Sequence, residues 1–188
     1  TERLSLIGSH WKRLAQARHA SGTKGIKDCL AEMRTAYWRA AEHAQQRSGE
    51  WDYYPLFNAL EGEFLIAARG ERAGFDTRAA QLSSLLQAGA ENGRRRFAEN
   101  RDFFHALAEV EAARIDALWA CFDGRSSACI TNPDVLNGLI DRYRDVLKRL
   151  GSARERDSVA NQLKFLIDML PSGDKPNKVK NALTALIR

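Results

Sequence analysis

Apolar residues recur along this chain with a period near 3.6, and no stretch shows the alternation that marks a strand. The first helix is predicted from Glu2 to His19, with Leu4, Ile7, Trp11 and Leu14 on one inward stripe. Ser21-Gly22-Thr23-Lys24-Gly25 breaks it. A second runs from Ile26 to Arg47 with Ile26, Leu30, Met33, Tyr37 and Ala40 inward, and Ser48-Gly49 ends it. Asp52 to Pro55 opens a third, because proline suits a first helical turn where no N–H is needed. Leu56, Phe57, Leu60, Phe64 and Leu65 form its core face.

After a turn at Gly70 to Gly74, a fourth helix is predicted from Thr77 to Glu99. It is expected to bend or break at Gly89 and Gly93, each costing about 1 kcal/mol against alanine. Asn100 or Asp102 caps a fifth, which reaches Cys121 or Phe122 through Phe104, Leu107, Val110, Ile115 and Leu118. Asp123 to Thr131 is the longest polar loop. Asn132-Pro133 opens a sixth helix to Leu150. Ser152-Ala153-Arg154-Glu155 is a capping box, in which serine and glutamate each satisfy an exposed backbone donor. It starts a seventh helix to Leu170, and Pro171-Ser172-Gly173 precedes a last one from Lys175 to Ile187. The prediction is all-α: eight helices as four antiparallel hairpins, forming a bundle or a solenoid.

Repeats bear on that choice. Leu4-x-x-Ile7-Gly8-x-x-Trp11 fits the first-helix pattern of a tetratricopeptide repeat, where the small residue lets the partner helix approach closely. Met33-x-x-x-Tyr37-x-x-Ala40 supplies the second helix. Tyr54-x-x-Phe57-Asn58 and Phe104-x-x-Leu107-Ala108 echo the first. Gly8, Asn58 and Ala108 stand 50 residues apart, further than the standard unit of about 34. Glu61 and Glu111 occupy the place of the second aromatic, the usual proline after the second helix is missing, and the link from His19 to Ile26 is long.

On these residues the chain resembles the divergent tetratricopeptide-like regions of bacterial multidomain proteins. The similar stretches are Arg3 to Ala15, Tyr37 to Ala44, Asp52 to Leu65, Phe103 to Asp123 and Tyr143 to Leu170. Such regions accompany caspase-like (CHAT) peptidases, nucleotide-binding sensor domains and other defence-type effectors. The resemblance implies a right-handed solenoid over residues 1–188, serving as a scaffold or sensing segment attached to something else. Thr1 in place of an initiator methionine fits a segment of a longer protein.

Composition narrows the classes. Of 188 residues, 44% are hydrophobic, 28% are charged and 4 are proline. No apolar run approaches the roughly 20 residues that cross a bilayer, and no secretory leader is visible, so no membrane partner and a cytoplasmic setting are expected. Cys29, Cys121 and Cys129 are an odd, scattered set, read as buried free thiols. The net charge of +5 lies wholly in residues 139–188, which carry 11 Lys/Arg against 6 Asp/Glu.

Candidate chemistry is sparse. His105, Glu109 and Asp116 share roughly one helical face, but no His-Glu-x-x-His or paired Glu-x-x-His accompanies them, so they read as a polar stripe and no metal is expected. No Gly-x-Ser-x-Gly, phosphate loop or dinucleotide fingerprint is present, and Cys29 and Cys121 lie on apolar helix faces. The chain is read as a binding segment, not an enzyme, with no cofactor. Its partner is expected to be a protein or an attached effector domain, bound as a peptide or helix on the concave face. Ser5, Ser9, Lys12 and Gln16, which point away from the apolar stripe, and Asn58 are the candidate contacts. Asn58 fits a helix crossing better than a peptide clamp. The alternative is nucleic acid on a basic patch of Arg94, Arg95, Arg96, Lys164, Lys175, Lys178 and Lys180, although no aromatic residues interleave with it for base stacking. Trp11, Trp38, Trp51 and Trp119 are assigned mainly to the core, and Trp51-Asp52-Tyr53-Tyr54 to capping of a repeat junction or an aromatic hot spot.

Overall fold

The computed structural model describes residues 2–187, whose regular elements are all helical, with no strand among them. Nine α-helices follow in order: α1 Glu2–Ala20, α2 Ile26–Ser48, α3 Tyr53–Ala68, α4 Ala73–Ala79, α5 Leu82–Asn100, α6 Phe103–Asp123, α7 Pro133–Leu150, α8 Ala153–Met169 and α9 Asp174–Ile187. The chain forms two compact units, Thr1–Asn92 and Gly93–Arg188, whose boundary falls within α5.

Local signals set most helix ends. Gly49 terminates α2 with φ 75°, and its N–H reaches the Gln45 carbonyl, a left-handed cap that glycine adopts without Cβ strain. Asp52, Asp102 and Asn132 cap α3, α6 and α7 by accepting from the N–H two residues on. Ser152 and Glu155 form the predicted capping box, with bonds of 3.3 Å and 2.6 Å. The Ser152 backbone N–H holds the Glu155 carboxyl below its ordinary range.

Unit 1 is built around α3, which is apolar almost all round and buried accordingly. Gly62 sits at its crossing with α2, where an added Cβ would stand 3.0 Å from Arg34 Cβ and 3.1 Å from Met33 Cε. Gly8 does the same for α1 and α2, since its Cβ would press to 2.8 Å on the Tyr37 ring. That close approach corrects the expected α1 stripe. Gly8 and Ala15 are buried, Leu4, Trp11 and Leu14 are half-buried, and Ile7 is 47% exposed. A small-residue seam won because α2 lies too near for large side chains.

The predicted fourth helix is two. The break falls at Ala80-Gln81, between α4 and α5, while Gly89 and Gly93 lie inside an unbroken α5. Their role is packing: a Cβ at Gly89 would collide with the Phe57 ring, and one at Gly93 with the Ala108 Cβ. The helix count among the described residues is therefore nine against the eight expected.

Unit 2 centres on α6, whose Leu107, Ala108, Ile115, Leu118 and Trp119 are all buried. The 123–131 loop is tied back on α6. Ile130 N–H donates to the Ala117 carbonyl at 3.0 Å, and Cys121 is bonded to Cys129 in a disulfide. This corrects the reading of both as free thiols: the turn Ser126–Ala128 returns the chain so that their Cα atoms stand 4.6 Å apart. Cys29 alone remains a buried free thiol.

Candidate functional site

The sequence-predicted contacts of α1 are largely engaged within unit 1. Ser9 Oγ lies 3.0 Å from the Tyr37 hydroxyl. Lys12 Nζ donates to Asn58 Oδ1 at 3.3 Å, and Asn58 Nδ2 donates to the Tyr54 carbonyl at 2.9 Å. Asn58 thus bridges α1 and α3. Ser5 and Gln16 are half-buried. Tyr37 is wedged among these groups, with its ring edge-on to Tyr54 at 6.1 Å. Burial raises its pKa strongly, assisted by Tyr54 and Glu61 and opposed by the Ser9 bond. Around this seam Leu6 and Tyr54 are exposed, while Tyr53 is buried and Trp51 packs edge-on to Trp38.

The buried glutamates are what pattern reading missed. Glu61 and Glu63 are 2% and 3% exposed. Glu63 faces Arg34 at 3.4 Å and packs on Gly74, where a Cβ would strike its carboxylate. In unit 2, Glu111 takes the bidentate role: the Tyr143 hydroxyl donates to it at 2.7 Å, the fully buried Arg114 pairs with it, and Arg114 Nε donates to the Tyr143 oxygen at 2.9 Å. Burial pushes the Tyr143 pKa well up, with Glu111 adding to the shift and Arg114 opposing it. The only sequence signal was a glutamate where the repeat wants an aromatic.

The polar stripe on α6 disperses. His105 Nδ1 bonds Asn100 at 2.8 Å, Glu109 pairs with Arg94 at 2.8 Å, and Asp116 pairs with Arg125 at 2.9 Å. Burial pulls the Arg125 pKa down, but the carboxylates of Asp123 and Asp116 outweigh it and the net shift is upward. Among the described residues no group of three His, Cys, Asp or Glu side chains is placed to hold a metal.

Two grooves open on unit 2. One, of about 450 Å³, gathers Arg94, Arg142 and Arg149 with Phe97, Glu109 and Asp145. Two of its three arginines are matched, Arg94 by Glu109 and Arg149 by Asp145 at 3.1 Å, while Arg142 has no carboxylate partner among the described residues. The other, of about 590 Å³, lies between α7, α8 and α9. Aliphatic side chains line it and three cations, Arg144, Lys148 and Arg156, edge it. Sequence reading missed this groove, although α7 carries the pattern that makes it: Leu139, Tyr143 and Val146 are buried while Ile140 and Leu147 on an adjoining face are half-buried. Of the predicted basic patch, Arg94 lines the first groove. Lys164 and Lys178 are exposed, and Lys175 lies 5.0 Å from the Phe122 ring centre.

No helix among the described residues is long and apolar enough to cross a membrane. Compared with known proteins, the chain gives no significant match to a family model, a curated protein or a solved structure.

Proposed function

We propose that this chain is a tetratricopeptide-like, non-catalytic binding segment of a larger bacterial protein, which takes a peptide or helix of a protein partner. The observation that carries the reading is the groove of about 590 Å³ between α7, α8 and α9, an apolar trough with a polar rim, the form in which helical scaffolds accept amphipathic segments. Unit 1 lends support to the repeat reading. Tyr37 of α2 contacts α1 through Ser9 and α3 through Tyr54, while Lys12 and Asn58 link α1 to α3. Such layering, with close crossings at Gly8 and Gly62, is what stacked helical hairpins require.

Photo-cross-linking in source cells tests the proposal. A benzoylphenylalanine is placed at Ile187 beside the groove or at Leu6 on α1, both exposed, and adducts are identified by mass spectrometry after high-salt washing. A discrete protein adduct is expected. Adducts with nucleic acid alone, suppressed by salt, would transfer the function to Arg94, Arg95, Arg96, Lys164, Lys175, Lys178 and Lys180, since phosphate contacts weaken steeply as counterions rise.

A further inference from the structure

We propose that the groove between α7, α8 and α9 docks an amphipathic helix with carboxylates beside its apolar stripe; the proposal rests on the protein-binding reading. The half-buried Ile140 and Leu147 of α7 and the exposed Ile187 of α9 present its apolar surface, backed by the buried Val159 and Leu163 of α8 and Leu186 of α9. From Ile140 to Lys148 the α7 wall runs for roughly 12 Å, the length of about two helical turns. A partner helix fills such a trough with apolar residues at i, i+3, i+4 and i+7.

Charge selects among helices. Arg144, Lys148 and Arg156 edge the groove, and no carboxylate lines it among the described residues. Arg144 reaches Asp141 at 3.1 Å on the solvent side, Arg156 donates to the Leu147 carbonyl at 3.4 Å, and Lys148 has no carboxylate partner among the described residues. Arg144 and Lys148 stand one turn apart, about 6 Å along α7, so two acidic side chains one turn apart on a partner would meet both. The neighbouring groove has the smaller surplus, since Arg94 and Arg149 are paired there and Arg142 alone is not, whereas Lys148 and Arg156 both lack a carboxylate partner among the described residues. Nucleic acid fits the α7–α9 groove less well, since Tyr143, the one aromatic among its described lining residues, is 1% exposed and gives bases no stacking platform. A concave trough also suits an inserted ridge of side chains better than the flat face of a bilayer.

The test uses the whole chain and a fluorescein-labelled helical peptide of about four turns, with leucine at the i, i+3, i+4, i+7 positions and flanking glutamates. A twin carries lysine in place of glutamate, and a single-stranded oligonucleotide and phosphatidylglycerol vesicles serve as competing probes. Anisotropy should show the acidic peptide binding at least about tenfold more tightly than its twin. Lys148→Glu combined with Arg156→Glu should invert that preference, and Ile187→Glu should weaken both peptides. All three positions are at the surface, and circular dichroism confirms that the variants fold. Equal binding of the twins, absence of binding, indifference to the charge reversal, or preference for oligonucleotide or vesicle would each overturn the proposal. If the groove fails in this way while a protein adduct still forms at Leu6, the broader binding function stands without it.

Discussion

Replacing Tyr143 by phenylalanine deletes one oxygen from the interior of unit 2 and measures what the Glu111–Arg114–Tyr143 network contributes to holding α6 against α7. The hydroxyl donates to Glu111 Oε1 at 2.7 Å and accepts from Arg114 Nε at 2.9 Å. Tyr143 is 1% exposed and Arg114 0%, so water cannot take the oxygen's place without repacking. Hydrogen bonds to charged groups contribute about 1.5–3 kcal/mol each, and the phenylalanine ring would retain the packing, which puts the expected loss at about 2–4 kcal/mol. Glu111→Ala should cost more, about 3–5 kcal/mol, because the fully buried guanidinium then loses its ion pair with Glu111 and the Tyr143 hydroxyl also loses its acceptor. Urea unfolding followed by circular dichroism reads both values. With a slope of about 1–3 kcal/mol per molar, a loss of about 3 kcal/mol moves the midpoint by roughly 1–3 M. A cycle combining Tyr143→Phe with Glu111→Gln should be non-additive by about 1 kcal/mol or more. A Tyr143→Phe variant within about 0.5 kcal/mol of the parent, or two changes that simply add, would show that no such network holds the helices.

Gly89→Ala gives a prediction of sign. Helix propensity alone favours alanine by about 1 kcal/mol, but collision with Phe57 should make the variant less stable by about 1–3 kcal/mol; a raised thermal midpoint would contradict the packing account. Reducing the Cys121–Cys129 bond, which spans a sequence separation of 8, should lower stability by about 2.5 kcal/mol on the chain-entropy model. Alkylation of the denatured, unreduced chain should label Cys29 alone, and three labelled thiols would show the bond does not form. Tyr37 and Tyr143 both have raised pKa values in the fold. Their contribution is therefore complete below the ordinary tyrosine value of about 10 and is lost as pH climbs beyond it. Tyrosinate absorbance from these two should appear together with loss of helicity, and a Tyr37→Phe/Tyr143→Phe variant with unchanged alkaline sensitivity would refute the assignment.

What the sequence determined by itself is the helical character of the chain and most helix ends. Asp52, Asn132-Pro133, Ser152 with Glu155, and Gly49 act on backbone groups within a few residues, so their effect needs no distant partner. Most of the inward faces of α2 and α6 was legible for a related reason, since Leu30, Met33 and Tyr37, like Leu107, Ile115 and Leu118, each lie on one helical stripe, but Phe104, expected on that of α6, is 39% exposed and its neighbour Phe103 is buried instead. Tertiary structure decided everything that depends on which surface meets which. The α1 interface uses Gly8 and Ala15 because α2 presses close, a distance no single-helix pattern encodes. Gly89 and Gly93 remain helical because Phe57 and Ala108 pack against them. Cys121 and Cys129 meet only because the 123–131 loop folds back on α6. Glu61, Glu63 and Arg114 are buried at a cost that only nearby charges and hydroxyls offset, and those neighbours come largely from other helices. The groove has the same origin: α7, α8 and α9 each contribute aliphatic residues unremarkable in sequence, and only their convergence beside Arg144, Lys148 and Arg156 makes a surface able to choose a partner.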